Sequence, residues 1–184
     1  MPIVQYGDAV LRKKCKPVAE VTEEIKTLAS DMVETMKDAQ GVGLAAPQVG
    51  VDLRLAIVDV SHDISCLSYL KVNGEDIALE DMPNYMPLIF INPELELLKP
   101  FESEQEGCLS IEGINAKVNR PSIVKAQLPQ LDGSVMELEA DGLLSRAIQH
   151  EVDHLNGVLF TDRLSSVGKA RVASRMKNLT KRSY

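Results

Sequence analysis

The sequence predicts an α+β fold, with mixed or antiparallel sheets packed around a central helix that carries an HExxH motif. An N-terminal and a C-terminal helix flank this arrangement. Three observations predict it. Two amphipathic helical stretches stand far apart, near residues 22–40 and 141–157. Short β-rich runs lie between them, one pair joined by a hairpin signal. The chain ends in a third helical pattern rich in Lys and Arg. At 184 residues it is expected to form one domain, 1–184.

Thr22 is placed to cap the first helix, with Glu23 and Glu24 suited to its first turn. Ile25, Leu28, Ala29, Met32, Val33 and Met36 then recur at helical spacing, and Gly41 supplies the stop. The stretch "GVGLAAPQVG" that follows is too rich in glycine and small residues for a helix. It reads as a loop that approaches something closely. "LRLAIVDV" (53–60) and "LIFIN" (88–92) read as strands, and residues 61–87 as a long loop with a hairpin signal at Asn73-Gly74. "SIVKAQL" and "SVMELEA" flank Asp132-Gly133 and form a hairpin signal. The motif helix starts near Asp141 and stops at Asn156-Gly157. "VGKARVASRMKNL" is the last helix, within a basic segment at about 165–184.

Composition excludes several classes. Aromatic residues are only 4% with no Trp, so stacking platforms for nucleic acid are not expected. A net charge of -7 argues against DNA and against a general phosphate-binding surface. Residues 165–184 depart from this, with six cations and no acid, leaving 14 basic against 27 acidic residues elsewhere. Such a tail suits an acidic partner such as RNA, or simply the macrodipole of its own helix. Cys15, Cys66 and Cys108 are an odd set in a chain without an apolar leader, which reads as reduced thiols in a cytoplasmic protein. No run approaches a membrane-spanning length.

The stretch "AIQHEVDHLNG" carries the chemistry. At about 100° per residue, Ala147, His150, Glu151 and His154 share one sector of the helix, beside an apolar arc of Leu144, Ile148, Val152 and Leu155. Ser145, Arg146, Gln149, Asp153 and Asn156 take the opposite side, expected to face water. Two imidazoles one turn apart can share one metal, and the glutamate between them can act as general base. A lone buried histidine is usually an ordinary core residue, but this inward-facing pair with its acid is not so easily explained.

The third ligand is not obvious. A histidine ten positions after the first of HExxH would fall at 160, which is Phe160, and no Glu follows the motif. Cys108, in "EQEGCLSIEG", is the best candidate. A Cys/His/His set leaves one tetrahedral position open, as a catalytic site requires.

Three segments together resemble one family, the peptide deformylases. "GVGLAAPQVG" (41–50), "EGCLS" (106–110) and "QHEVDHLNG" (149–157) are similar to its three signature motifs, in order. The resemblance implies hydrolysis of the N-formyl group on the initiator methionine of nascent polypeptides. It assigns Cys108, His150 and His154 to one divalent metal per chain, Fe2+ in the cell, with Zn2+, Ni2+ or Co2+ also bound. Glu151 would be the general acid/base, and the Gln48 side chain with the Leu109 backbone N–H the oxyanion hole. Gly41, Val42 and Gly43 would pair with the substrate backbone, Val42, Leu143 and Ala147 would line the methionine pocket, and Arg120 would meet the downstream backbone. In some members the C-terminal helix docks on the ribosome.

Two departures stand out. Glu112 replaces a common proline, altering the cleft rim, and the segment 62–86 is longer than in compact members. A metallopeptidase cutting internal bonds and a non-catalytic ribosome-associated protein are the competing readings. The missing third His or Glu weighs against the first, and the intact Glu151 and Gln48 against the second.

Overall fold

In the computed structural model, which describes residues 1–182, one inner strand, β2 (Leu55–Val58), is apolar on both faces because a helix covers each side. It is wholly buried, and its alternating side chains divide between two cores. Leu55 and Ile57 pack with Met32 and Met36 of helix α1 (Glu23–Asp38), while Ala56 and Val58 join Leu144 and Ile148 of helix α2 (Gly142–Leu155). A strand covered on both faces reads as a continuous apolar run.

Strand β2 lies between β1 (Gly43–Ala45) and β5 (Leu88–Ile91) in a three-stranded antiparallel sheet. The second sheet has five strands, also antiparallel, in the order β4-β3-β8-β7-β6. These are β3 (Leu70–Val72), β4 (Glu75–Ile77), β6 (Glu94–Cys108), β7 (Ile111–Pro129) and β8 (Val135–Ala140). Helix α2 packs against both sheets. A third core forms where helix α3 (Ser166–Arg182) lays Val172, Met176 and Leu179 over Ile111, Ile114 and Val118 of β7. The expected segment 165–184 reaches Ser183 and Tyr184, which lie outside the described residues.

The α+β architecture agrees with the sequence reading, and several local expectations change. "GVGLAAPQVG" is not a plain loop: it holds β1 and a 3-10 turn over Ala46–Val49. Thr22 sits at the N-cap but its side chain makes no capping bond to the helix. Helix α1 is stopped by Gln40, at φ 55°, and not by Gly41. The Gln40 N–H reaches the Lys37 carbonyl and the Gly41 N–H the Met36 carbonyl, closing a Schellman motif. The 62–86 segment contains the β3–β4 hairpin, turned at Asn73-Gly74, and its β3 strand extends the larger sheet beside β8. Strand β6 was not expected at all. Its side chains are mostly exposed and its register shifts between Leu98 and Phe101, so no alternating pattern marks it.

The largest correction concerns helix α2. Ser145, Gln149 and Asp153, assigned to water, are 1%, 3% and 5% exposed. The helix is central, so its polar side is buried too, and its polar groups find partners in β7 and beyond. Gln149 donates to the Pro121 carbonyl at 2.9 Å, and Asp153 takes bonds from Arg120 and Arg163.

Candidate active site and metal centre

Helix α2 ends where predicted, at a Schellman motif in which Gly157 (φ 72°) and Val158 return their N–H groups to His154 and Asp153. The last two helical turns therefore hold His150, Glu151 and His154 rigidly. Opposite them, β6 delivers Cys108 just before the tight turn at Leu109 and Ser110. One donor atom from each of Cys108, His150 and His154 lies within 4.8 Å of the others. Cys108 Sγ is 3.2 Å from His154 Nε2, and the two imidazoles meet edge to face with centroids 5.0 Å apart. Phe160, which occupies the alternative histidine position, stacks against His150 at 6.2 Å.

The other ring nitrogen of His150, Nδ1, stands 3.1 Å from Glu106 Oε2. A ligating imidazole needs such an acceptor to fix its tautomer and direct Nε2 at the metal. Glu106 is itself pinned. Arg120 grips it with Nε and Nη2 at 2.6 and 2.9 Å, and Arg146 Nη1 reaches it at 2.7 Å. Arg120 Nη1 then bonds Asp153 at 2.8 Å, and Arg163 closes the chain on Asp153. Burial opposes ionisation of Glu106, but its bonds to Arg120 and His150 outweigh that and hold its carboxyl well below the usual range. Burial likewise lowers His150, yet Cys108 and Glu106 raise it to about 10, whereas burial keeps His154 well below its ordinary value.

Glu151 lies against β1. It is 3% exposed, and burial pushes its carboxyl up to about 7, with His150 and Arg120 pulling the other way. Its Oε2 is buried without a hydrogen-bond partner among the described residues. Gln48 is oriented by the Ala45 N–H, which donates to its Oε1 at 2.9 Å and so fixes which end is the amide nitrogen. That nitrogen faces Cys108 Sγ at 3.5 Å and Ser110 Oγ at 3.3 Å.

These groups line a cleft of about 590 Å³. Gly41, Val42, Gly43, Gln48, Cys108, Leu109, Leu143, Ala147, His150 and Glu151 all border it, and His154 completes the donor trio at 1% exposure. The structure brings these eleven expected residues together. Arg120 is the exception. It is 2% exposed and bound to Glu106 and Asp153, so it does not border the cleft or offer a surface to substrate. Its guanidinium faces inward because two buried acids must be neutralised.

Sequence reasoning gave no role to Glu106, Asp153, Arg146 or Arg163. The signal for Glu106 was the usual need of a ligating imidazole for a partner at its second nitrogen, with an acid two residues before Cys108; His154 Nδ1 has no such partner among the described residues. The donor set fits a divalent metal: one soft thiolate and two imidazoles, with an unpartnered carboxylate oxygen on Glu151 nearby.

Comparison with known proteins agrees with this geometry. Residues 1–170 match the family profile described as polypeptide deformylase. A peptide deformylase of Clostridium botulinum is 47% identical over 161 residues, covering 88% of this chain and 94% of that protein. One from Acinetobacter baumannii is 42% identical over 182 residues, covering 98% and 92%. The structure superimposes on Arabidopsis thaliana peptide deformylase 1B with a TM-score of 0.84 at 31% identity, covering 100% of this chain and 92% of that one. For the Thermotoga maritima peptide deformylase the TM-score is 0.74 at 38% identity, covering 89% and 96%. With this profile match, these relatives and these folds in agreement, the chain belongs to the polypeptide deformylase family.

Proposed function

We propose that this protein is a metal-dependent hydrolase that removes the N-formyl group from the initiator methionine of newly made polypeptides and releases formate. The observation that carries the reading is the convergence of the Cys108, His150 and His154 donor atoms beside Glu151 and the Gln48 amide in one cleft. Cys108, His150 and His154 would hold one divalent ion, Fe2+ in the cell, with Zn2+, Ni2+ or Co2+ as substitutes. When bound, that ion supplies Lewis acidity toward the formyl carbonyl and toward water.

The side chains account for the remaining steps. Glu151 accepts the proton of the attacking water and returns it to the leaving amine; burial places its carboxyl near 7, where both transfers are accessible at neutral pH. The Gln48 amide nitrogen, locked by Ala45, and the Leu109 backbone N–H donate to the developing oxyanion, an interaction worth about 3–4 kcal/mol at such a site. Strand β1 is an edge of its sheet, so Gly41, Val42 and Gly43 can receive the substrate backbone by strand addition. Val42, Leu143 and Ala147 then face the methionine side chain. Arg120 acts by positioning Glu106 and, through it, His150.

The whole chain is read as one deformylase domain acting in the cytoplasm. No helix among the described residues is long and apolar enough to cross a membrane. Docking on the ribosome through α3 is supported by the exposed Lys169, Arg171, Arg175 and Lys177. Salt-sensitive co-sedimentation with ribosomes that is lost on truncation after Leu164 tests that part. The activity itself is tested with formyl-Met-Ala-Ser: formate release with both peptide bonds intact is expected, and internal cleavage would instead favour the metallopeptidase reading.

A further inference from the structure

The charges around the cleft are unequally compensated. Glu106 is neutralised by Arg120 and Arg146. Arg146, besides Glu106, bonds the Val118 and Glu102 carbonyls, each at 3.0 Å. Glu151 is buried against Gly43, deep beside the donor trio. Outside the donor trio, the remaining charged group on the lining is Glu112, which is exposed and has no hydrogen bond or ion pair among the described residues. The other polar groups at the mouth are neutral amides, including Gln5, Gln40, Gln105 and Asn115. Glu112 sits on β7 just past the Leu109–Ser110 turn, and Gly113 beside it takes φ 73° with open space where a Cβ would stand.

Resting on the deformylase reading, we propose that Glu112 is a specificity residue that makes this cleft favour formyl peptides with a lysine or arginine in the two positions after methionine. A peptide paired with Gly41–Gly43 has its formyl end at Cys108 and Glu151, so its continuing chain must leave through the mouth that Glu112 shares. A cation there meets one unpaired carboxylate and no competing cation, since Arg146 is already engaged. An acidic residue meets only repulsion. Because Glu112 is solvated, the effect is moderate and screened: about 3-fold for a lysine over a glutamine, with a similar loss for a glutamate.

The test compares kcat/KM for formyl-Met-X-Ser and formyl-Met-Ala-X peptides, with X as Lys, Gln or Glu, at about 20 and 300 mM salt. The ratio of Lys to Glu is expected near 10 in at least one position at low salt and should shrink at high salt. In Glu112→Gln it should fall toward 1, and in Glu112→Lys it should invert. Equal rates for Lys and Glu peptides, or a ratio untouched by Glu112→Gln, would overturn the proposal while leaving deformylase activity standing. Intact peptides throughout, including X as Gln, with metal bound would overturn the deformylase reading and this inference with it.

Discussion

Gly43 and Glu151 compete for the same space: a Cβ built on Gly43 would stand 2.3 Å from Glu151 Oε1. The carboxylate therefore owes its place against β1 to the missing side chain. Gly43→Ala must displace the end of a flexible side chain and not a backbone, so the fold is retained and the proposed general base moves. We expect kcat/KM to fall about 10- to 100-fold, since a shift near 1 Å can cost that much. The thermal midpoint should change by only a few degrees. A variant of full activity would show that Glu151 works from another position.

Arg120 is expected to matter for stability before it matters for substrate. Arg120→Ala leaves Glu106 and Asp153 buried without their shared counter-ion, a loss of about 3–5 kcal/mol in urea unfolding. Glu106 would also release His150, so metal affinity measured by chelator competition should weaken about 10-fold or more. A stable variant that only raises KM would restore the substrate role that the family resemblance implied.

Cys15 gives the stability curve an alkaline limb. Burial, reinforced by Asp52 and eased by Arg54, pushes its thiol up to about 11. The folded state therefore keeps a proton that the unfolded chain, titrating near 8.5, gives up. Stability from this group is complete below about pH 8.5 and is lost as pH rises through 11. Cys15→Ala should show a shallower decline between pH 8.5 and 11. In the native protein at pH 8, iodoacetamide should label Cys15 far more slowly than after unfolding. Parallel alkaline declines for the two proteins would count against it.

Gly142 tests how the 62–86 segment is attached. It adopts φ 57°, and a Cβ there would lie 1.8 Å from the Cys66 carbonyl oxygen, a backbone atom that cannot swing away. The neighbouring Asp141 carboxylate accepts the Ser68 N–H at 2.8 Å. Gly142→Ala should destabilise by about 2 kcal/mol or more, and it should raise proteolysis within residues 62–70. Unchanged stability would mean that the segment is not held at this point.

The parts of the site legible in the sequence were those with local signatures. His150, Glu151 and His154 follow from helical spacing, and the Asn156-Gly157 stop held to the residue. Cys108 and Gln48 were reachable through short motifs whose chemistry is specific. What escaped was set by partners distant in sequence. Asp153 and Gln149 look like surface residues until β7 supplies their partners, and Arg120 looks like a substrate contact until Glu106 and Asp153 claim it. Strand β6 escaped because its ladder with β7 is made by backbone while its side chains stay wet. Glu106 stood inside a recognised motif, but its purpose appears only when His150 arrives from 44 residues away.

The central claim is that Glu151 moves protons at a metal centre built from Cys108, His150 and His154. It is tested most directly by formate release from formyl-Met-Ala-Ser, comparing anaerobically prepared Fe(II)-loaded protein with Glu151→Ala at equal metal content. The account predicts one metal per chain in both and turnover in the parent, with at least a 100-fold loss in the variant. Equal turnover in the two proteins, or none in the parent with its metal in place, would contradict it.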